Sequence, residues 1–225
     1  MRLNRLDLVR VFEKVKSVNV NEILVDENGV FKTSSPDGVT VLQGKGFSFG
    51  RAAGFLDIDM MLKMLKKMTE QDIEILIQGS SLKMRDANLL FGYRLAATDV
   101  VHTVDDSAIQ QFEQMQWVKS DLGIEEALKI VDLCKALGVD NLSFKEEEGK
   151  LLCVVGDERM FYGRLHFSKE AVQGMNYKFL AERLLPVLDA LDEPKVEFSF
   201  SLGERRLMRV KIQDYIWWIG SLLEE

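Results

Sequence analysis

A unit of one amphipathic helix followed by about three short strands occurs four times along the chain, and a fourfold pattern of that kind admits few folds. The clearest copy is Phe55 to Tyr93, FLDIDMMLKMLKKMTEQDIEILIQGSSLKMRDANLLFGY. At about 100° per residue, Ile58, Met61, Leu62, Leu65 and Met68 share one side of its helix, while Lys63, Lys66 and Lys67 centre nearly opposite. EILI from Glu74, a turn at Gly79, SLKMRDA and LLFGYRLA then read as strands. Taken alone, the lysine side of such a helix is a solvated surface.

The first copy begins RLNRLDLVRVFEKVKSV, with Leu8, Val11, Phe12 and Val15 at helical spacing and Arg10, Glu13 and Lys14 on the far side. EILV from Glu22, VFKTSS and VTVLQGKGFSF follow, separated by turns at Gly29 and Pro36-Asp37-Gly38. The third copy runs from about Asp121. Gly123 opens a helix with stripe Ile124, Ala127, Leu128, Val131 and Cys134, and Gly138 closes it as a C-terminal glycine. NLSFK, a turn at Glu148 to Lys150, LLCVVG and MFYGRLHF come next. The fourth begins near Asn176 with stripe Tyr177, Leu180, Leu184, Val187, Leu188 and Leu191. Pro186 inside it predicts a kinked or split helix. VEFSF, RLMRVKI and IWWIG complete that copy.

The strand after each helix begins at Glu22, Glu74, Asn141 and Val196, so the middle interval exceeds its neighbours by roughly a dozen residues. The excess, TDVVHTVDDSAIQQFEQMQWVK, lies where a connector between two similar halves belongs. The expected organisation is an N-terminal domain over 1–98, a connector over 99–119 and a C-terminal domain over 120–225. Alternating strand patterns fit antiparallel sheets with one side toward a core, and two helices side by side on one face in each half, so the class is α+β.

A chain of 225 residues suits one large domain or two of roughly 100–120 residues each. Its net charge of −7 argues against a simple nucleic-acid coat, yet leaves room for a segregated positive patch. No apolar run approaches the roughly 20 residues of a membrane span, and MRLNRLDLVR lacks the apolar stretch of a signal peptide. The expected location is the cytoplasm, with no membrane partner. Cys134 and Cys153 have no metal or redox spacing and read as buried free thiols. His102 and His166 lack a paired metal-ligand context, no GxSxG occurs, and GKGFSFG at Gly44 lacks the Gly-Lys-Ser/Thr ending of a phosphate loop. No catalytic residue, metal or cofactor is expected.

The sequence resembles the DNA sliding clamps, the two-domain tailed-phage type above all, in the manner of proliferating-cell nuclear antigen. The resemblance rests on the Phe55–Tyr93 copy, the connector TDVVHT, GIEEALKIVDLCKALGVDNLSFKEEEGKLLCVVG, and the closing NYKFLAERLLPVLDALDEPKVEFSF and LMRVKI. It implies two similar clamp domains, each of two helix-plus-three-strand units, with antiparallel sheets outside and helices on one face. It further implies a homotrimeric ring closed around double-stranded DNA without regard to sequence, a processivity factor that tethers the replicative DNA polymerase and is opened by an ATP-dependent clamp loader. On that reading Lys63, Lys66, Lys67, Arg10 and Lys14 face the DNA, joined by Lys129, Lys178 and Arg183. Val39, Val41, Val100, Val101, Ile109, Phe112, Ile216, Trp217 and Trp218 surround a pocket for partner peptides. Leu90, Phe91, Tyr93, Phe161, Tyr162 and Leu165 belong to edge strands that pair between subunits. The alternative is a monomeric clamp-like processivity factor or an interaction scaffold in DNA metabolism, with an enzyme less favoured.

Overall fold

In the computed structural model every residue is described except Asp121, Glu158, 172–173 and 223–225, together with the side chains of 168–170. The chain divides into two compact units, Met1–Asp105 and Asp106–Glu225, and the dividing point falls inside the stretch read as a connector. The start expected for the third copy, Asp121, lies outside the described residues.

The first unit comprises β1 (Arg2–Asn4), α1 (Arg5–Lys16), β2 (Ile23–Val25), β3 (Val30–Ser34), β4 (Thr40–Lys45), β5 (Ala53–Phe55), α2 (Ile58–Lys67), β6 (Asp72–Gln78), β7 (Ser81–Arg85) and β8 (Leu90–Arg94). The second opens with α3 (Asp106–Gln114), in the stretch read as connector. It continues with β9 (Trp117–Ser120), α4 (Ile124–Leu137), β10 (Asn141–Glu147), β11 (Lys150–Gly156), β12 (Tyr162–Glu170), β13 (Asn176–Leu180), α5 (Ala181–Asp189), β14 (Glu197–Ser201), β15 (Leu207–Ile212) and β16 (Tyr215–Gly220).

The class is α+β with antiparallel sheets, as the strand patterns predict. The repeat, however, is strand–helix–three strands, so the described residues hold sixteen strands rather than twelve. The added leading strands are exchanged. β1, which precedes α1, completes the sheet β1-β6-β7-β8, and β5, which precedes α2, extends β2-β3-β4. The second unit repeats the exchange: β13 joins β10 in β12-β11-β10-β13, and β9 joins β14 ahead of β15 and β16. Two repeats are therefore bound into one unit by backbone hydrogen bonds. Tyr177 and Leu180 are corrected by this arrangement, since they lie on β13 and not on the helix, and α5 runs unbroken through Pro186.

The helices start and stop on local chemistry. Asn4 Oδ1 accepts from the Leu6 N–H at 2.9 Å, and Asp57 Oδ1 from the Met60 N–H at 2.8 Å, each satisfying a donor the helix cannot. Gly138 ends α4 at φ 60°, a left-handed turn that glycine adopts without steric cost. In the first unit α1 lies beside α2, and Phe12 meets Phe47 and Phe55 edge-on with centroids 5.7 and 5.4 Å apart. In the second α4 lies beside α5 over β10 and β11, and Phe144 packs on Phe179 and Phe200 at 6.1 and 5.4 Å. Cys134 and Cys153 are buried free thiols, and burial pushes Cys134 up to about 11 and Cys153 well above the thiol range.

Candidate nucleic-acid interface

The apolar stripe of α2, Ile58, Met61, Leu62 and Leu65, is buried, which turns Lys63, Lys66 and Lys67 to solvent. Beside it, α1 buries Leu8, Val11, Phe12 and Val15 and leaves Arg10 half-buried. Cross-helix ion pairs knit the two: Lys66 Nζ lies 2.8 Å from Glu13 Oε1, and Lys16 Nζ 3.2 Å from Asp59 Oδ2. Both pairs are open to solvent and contribute only about 0–1 kcal/mol each, so a phosphate can compete for these ammonium groups. Among the described residues Lys63 and Lys67 form no ion pair.

Lys14 departs from expectation. It is 2% exposed and takes no part in the solvent face. Its position is about 110° from the centre of the α1 stripe, a flank where packing decides the outcome. Lys16, two residues further along, is half-exposed and faces α2 through Asp59. Its signal was the cross-helix carboxylate, invisible before the helices are docked.

The second unit's candidates scatter. Lys129 is exposed on α4, but it shares that surface with Glu125 and Asp132. Arg183 is half-buried on α5 and engaged within the protein. Lys178 is corrected: it sits on β13 opposite Ser143, between the core residues Tyr177 and Phe179, and so points away from the helices. The ion pair across this helix pair, Lys135 Nζ to Asp189 Oδ2 at 2.9 Å, mirrors the pairing in the first unit.

The chain aligns over its full length with a chain in the structure of the C-terminal region of FEN-1 bound to A. fulgidus PCNA, at 12% identity and TM-score 0.71 over 98% of that chain. It aligns over 99% of its length with proliferating cellular nuclear antigen of Entamoeba histolytica, at 13% identity and TM-score 0.70 over 98% of that chain. The fold is that of the DNA sliding clamps. The whole chain also superposes on 64% of the Bacillus subtilis DNA polymerase sliding clamp, at 12% identity and TM-score 0.72. Neither a family's sequence profile nor any curated protein matches. The backbone path is shared with these clamps at 12–13% identity.

The remaining predicted residues have definite places in the clamp fold. Trp217 and Trp218 are 0% and 1% exposed, so they are core residues rather than open anchors, and Trp218 stacks on Phe112 at 5.5 Å. Val41, Val101 and Ile109 are buried as well. Val39, Phe112 and Ile216 are half-exposed, and Val100 stands in solvent. Val101 is held where Gly54 leaves room: a Cβ on Gly54 would lie 2.9 Å from Val101 Cγ2.

Among the described residues β8 pairs only with β7 and β12 only with β11, so each is the last strand of its sheet. Leu90 on β8 and Phe161 and Tyr162 at the head of β12 are exposed. Phe91, Tyr93 and Leu165 are half-buried toward their cores. Asp86, which no periodic pattern singles out, secures the turn before β8. Its carboxylate accepts from the Thr69, Asn88 and Leu89 N–H groups at 2.8, 3.0 and 2.7 Å, and these bonds, Thr69 first, hold it below the usual carboxylate range. No helix among the described residues is long and apolar enough to cross a membrane.

Proposed function

We propose that this chain is a sliding clamp of the two-domain tailed-phage type. Three subunits form a ring around duplex DNA and tether the replicative DNA polymerase, with an ATP-dependent loader opening the ring and no catalytic step of its own. The observation that carries this reading is the exposed Lys63–Lys66–Lys67 face of α2, set beside Arg10 and Lys16, in a clamp fold whose chain as a whole bears −7. Diffuse ammonium–phosphate contacts attract DNA without reading its sequence, and a negative chain elsewhere discourages DNA from settling on other surfaces. A ring needs only weak contacts of this kind, because topology prevents dissociation.

Edge strands β8 and β12 are the surfaces assigned to subunit pairing, and Val39, Val100, Phe112 and Ile216 remain as apolar groups for a partner peptide. The test compares retention on circular and linearised DNA. A loaded ring survives a high-salt wash on nicked circles and is lost within minutes of linearisation. Equal loss from both templates, with a 25.7 kDa particle in solution at micromolar concentration, would refute the ring.

A further inference from the structure

Two apolar features, one on each unit, lie at the ends of the two edge strands. On the first unit a groove of about 660 Å³ opens where β8 ends, with Arg94, Leu95, Ala96 and Ala97 along one wall and Leu56 and Val100 beside them. Leu56 is 45% exposed and Val100 62%, so the groove offers apolar surface to solvent. On the second unit the turn from β11 to β12 displays Met160, Phe161 and Tyr162 in succession, at 75%, 73% and 48% exposure. Three adjacent exposed side chains of this size are not accounted for by folding of the single chain.

The turn holds them in place. The Asp157 N–H donates to the Phe161 carbonyl at 3.1 Å, the Met160 N–H to the Asp157 carbonyl at 3.0 Å, and the Arg159 N–H to Asp157 Oδ1 at 2.8 Å. Gly156, at φ +93°, permits this closure, since a Cβ there would collide with the Phe161 carbonyl. Phe161 and the residues flanking it are therefore tied to Asp157 by hydrogen bonds and stand at the head of β12.

Edge topology says what fits against it. β8 ends at the groove and β12 begins at the aromatic turn. Antiparallel pairing of these edges from two copies sets the start of one against the end of the other, so the turn meets the groove. Side-chain parity agrees. Phe91 and Tyr93 lie opposite the buried Met84 and Leu82, which puts Leu95 on the same inward side. On β12, Gly163 abuts Leu133 of α4 and Leu165 lies opposite Cys153, which puts Phe161 on that inward side. A pairing that keeps both cores on one side of the joined sheet therefore opposes Phe161 to Leu95 or to a residue two away. Leu95 is buried and Ala97 exposed, so the register that sets Phe161 against Ala97 is the one open to a second chain.

We propose that Phe161 of one copy fills the groove beside Ala97 of the next, so that each subunit contributes one aromatic knob and one socket to a head-to-tail contact. This rests on the ring reading above and adds to it the side chain that locks the joint. A chain carrying Phe161→Cys and Ala97→Cys tests it by disulfide crosslinking, because Cys134 and Cys153 are buried and do not compete. Oxidation should give covalent oligomers on a denaturing gel, and each single variant should not.

In parallel, Phe161→Ala should raise the subunit dissociation constant about tenfold or more by sedimentation, with an unchanged circular-dichroism spectrum, while Phe161→Trp retains assembly. If the wild-type chain assembles yet the double-cysteine chain fails to crosslink and Phe161→Ala assembles normally, the knob and socket are wrong and the ring stands. If the wild-type chain stays monomeric at micromolar concentration and nothing crosslinks, both readings fall.

Discussion

In the first unit α1 carries four cations against two carboxylates, and α2 three lysines against one aspartate. In the second, at the corresponding places, α4 carries two lysines against three carboxylates, and α5 one arginine against two. The scaffolds beneath are alike: each helix pair packs side by side, is tied by a lysine–carboxylate bridge, and covers a phenylalanine cluster. The fold needs only the apolar stripe and the caps, so the outward side of each helix is free to take either sign. On the proposed ring reading, a duplex would meet its attraction mainly in the first unit, and the helices of the second would offer it little net positive charge.

The largest expected effect tests whether the two units are structurally equivalent despite their charge. Phe12→Ala and Phe144→Ala, both at fully buried positions, should each destabilise their unit by about 3–5 kcal/mol in denaturant titrations. A much smaller loss in one unit would show that the equivalence is superficial.

Next comes the charge contrast itself. Changing Lys63, Lys66 and Lys67 together to Ala should lower the slope of log K against log salt for duplex DNA by about three, at unchanged thermal stability. Lys129→Ala should leave that slope nearly untouched, and Glu125→Lys with Asp132→Lys should raise it. Equal slopes for the lysine-to-alanine changes in both units would abolish the contrast.

The smallest effect separates two carboxylates. Asp86 is held below its usual range chiefly by backbone N–H groups, and Glu197 chiefly by Lys119, 2.7 Å away and largely exposed. Both folded-state values are depressed, so each contributes stability that is present above the unfolded value near pH 4 and is lost as pH falls through the folded one. The gap between wild type and Asp86→Asn should therefore be full at neutral pH, close in acid and persist in 1 M NaCl. Glu197→Gln should cost less than about 1 kcal/mol and lose most of that in salt.

Much of the clamp fold is written in local pattern. The stripes of α1, α2 and α4, the cap at Gly138 and the long strands are legible because burial imposes a period of 3.6 or 2 on neighbouring residues. The lysine side of α2 is legible for the same reason, as the complement of a stripe. β1, β5 and β9 span three, three and four residues, too few to carry a period, and β13 was absorbed into the helical pattern that follows it.

The sequence by itself determined the fourfold repeat, its pairing into two halves, the α+β class and which helix bears the concentrated positive charge. Only the tertiary structure decided the exchange of leading strands that binds two repeats into one unit, because those pairings join residues as distant as Leu3 and Ile73 through backbone groups common to every residue. It also decided the residues at boundaries. Lys14 is drawn inside by its neighbours, Lys178 is turned to the opposite face by its strand, Trp217 and Trp218 are sealed in the core, and Phe161 is left in solvent at the end of an open edge. At each of these places the outcome depends on what packs against the side chain, and that partner is remote in the chain.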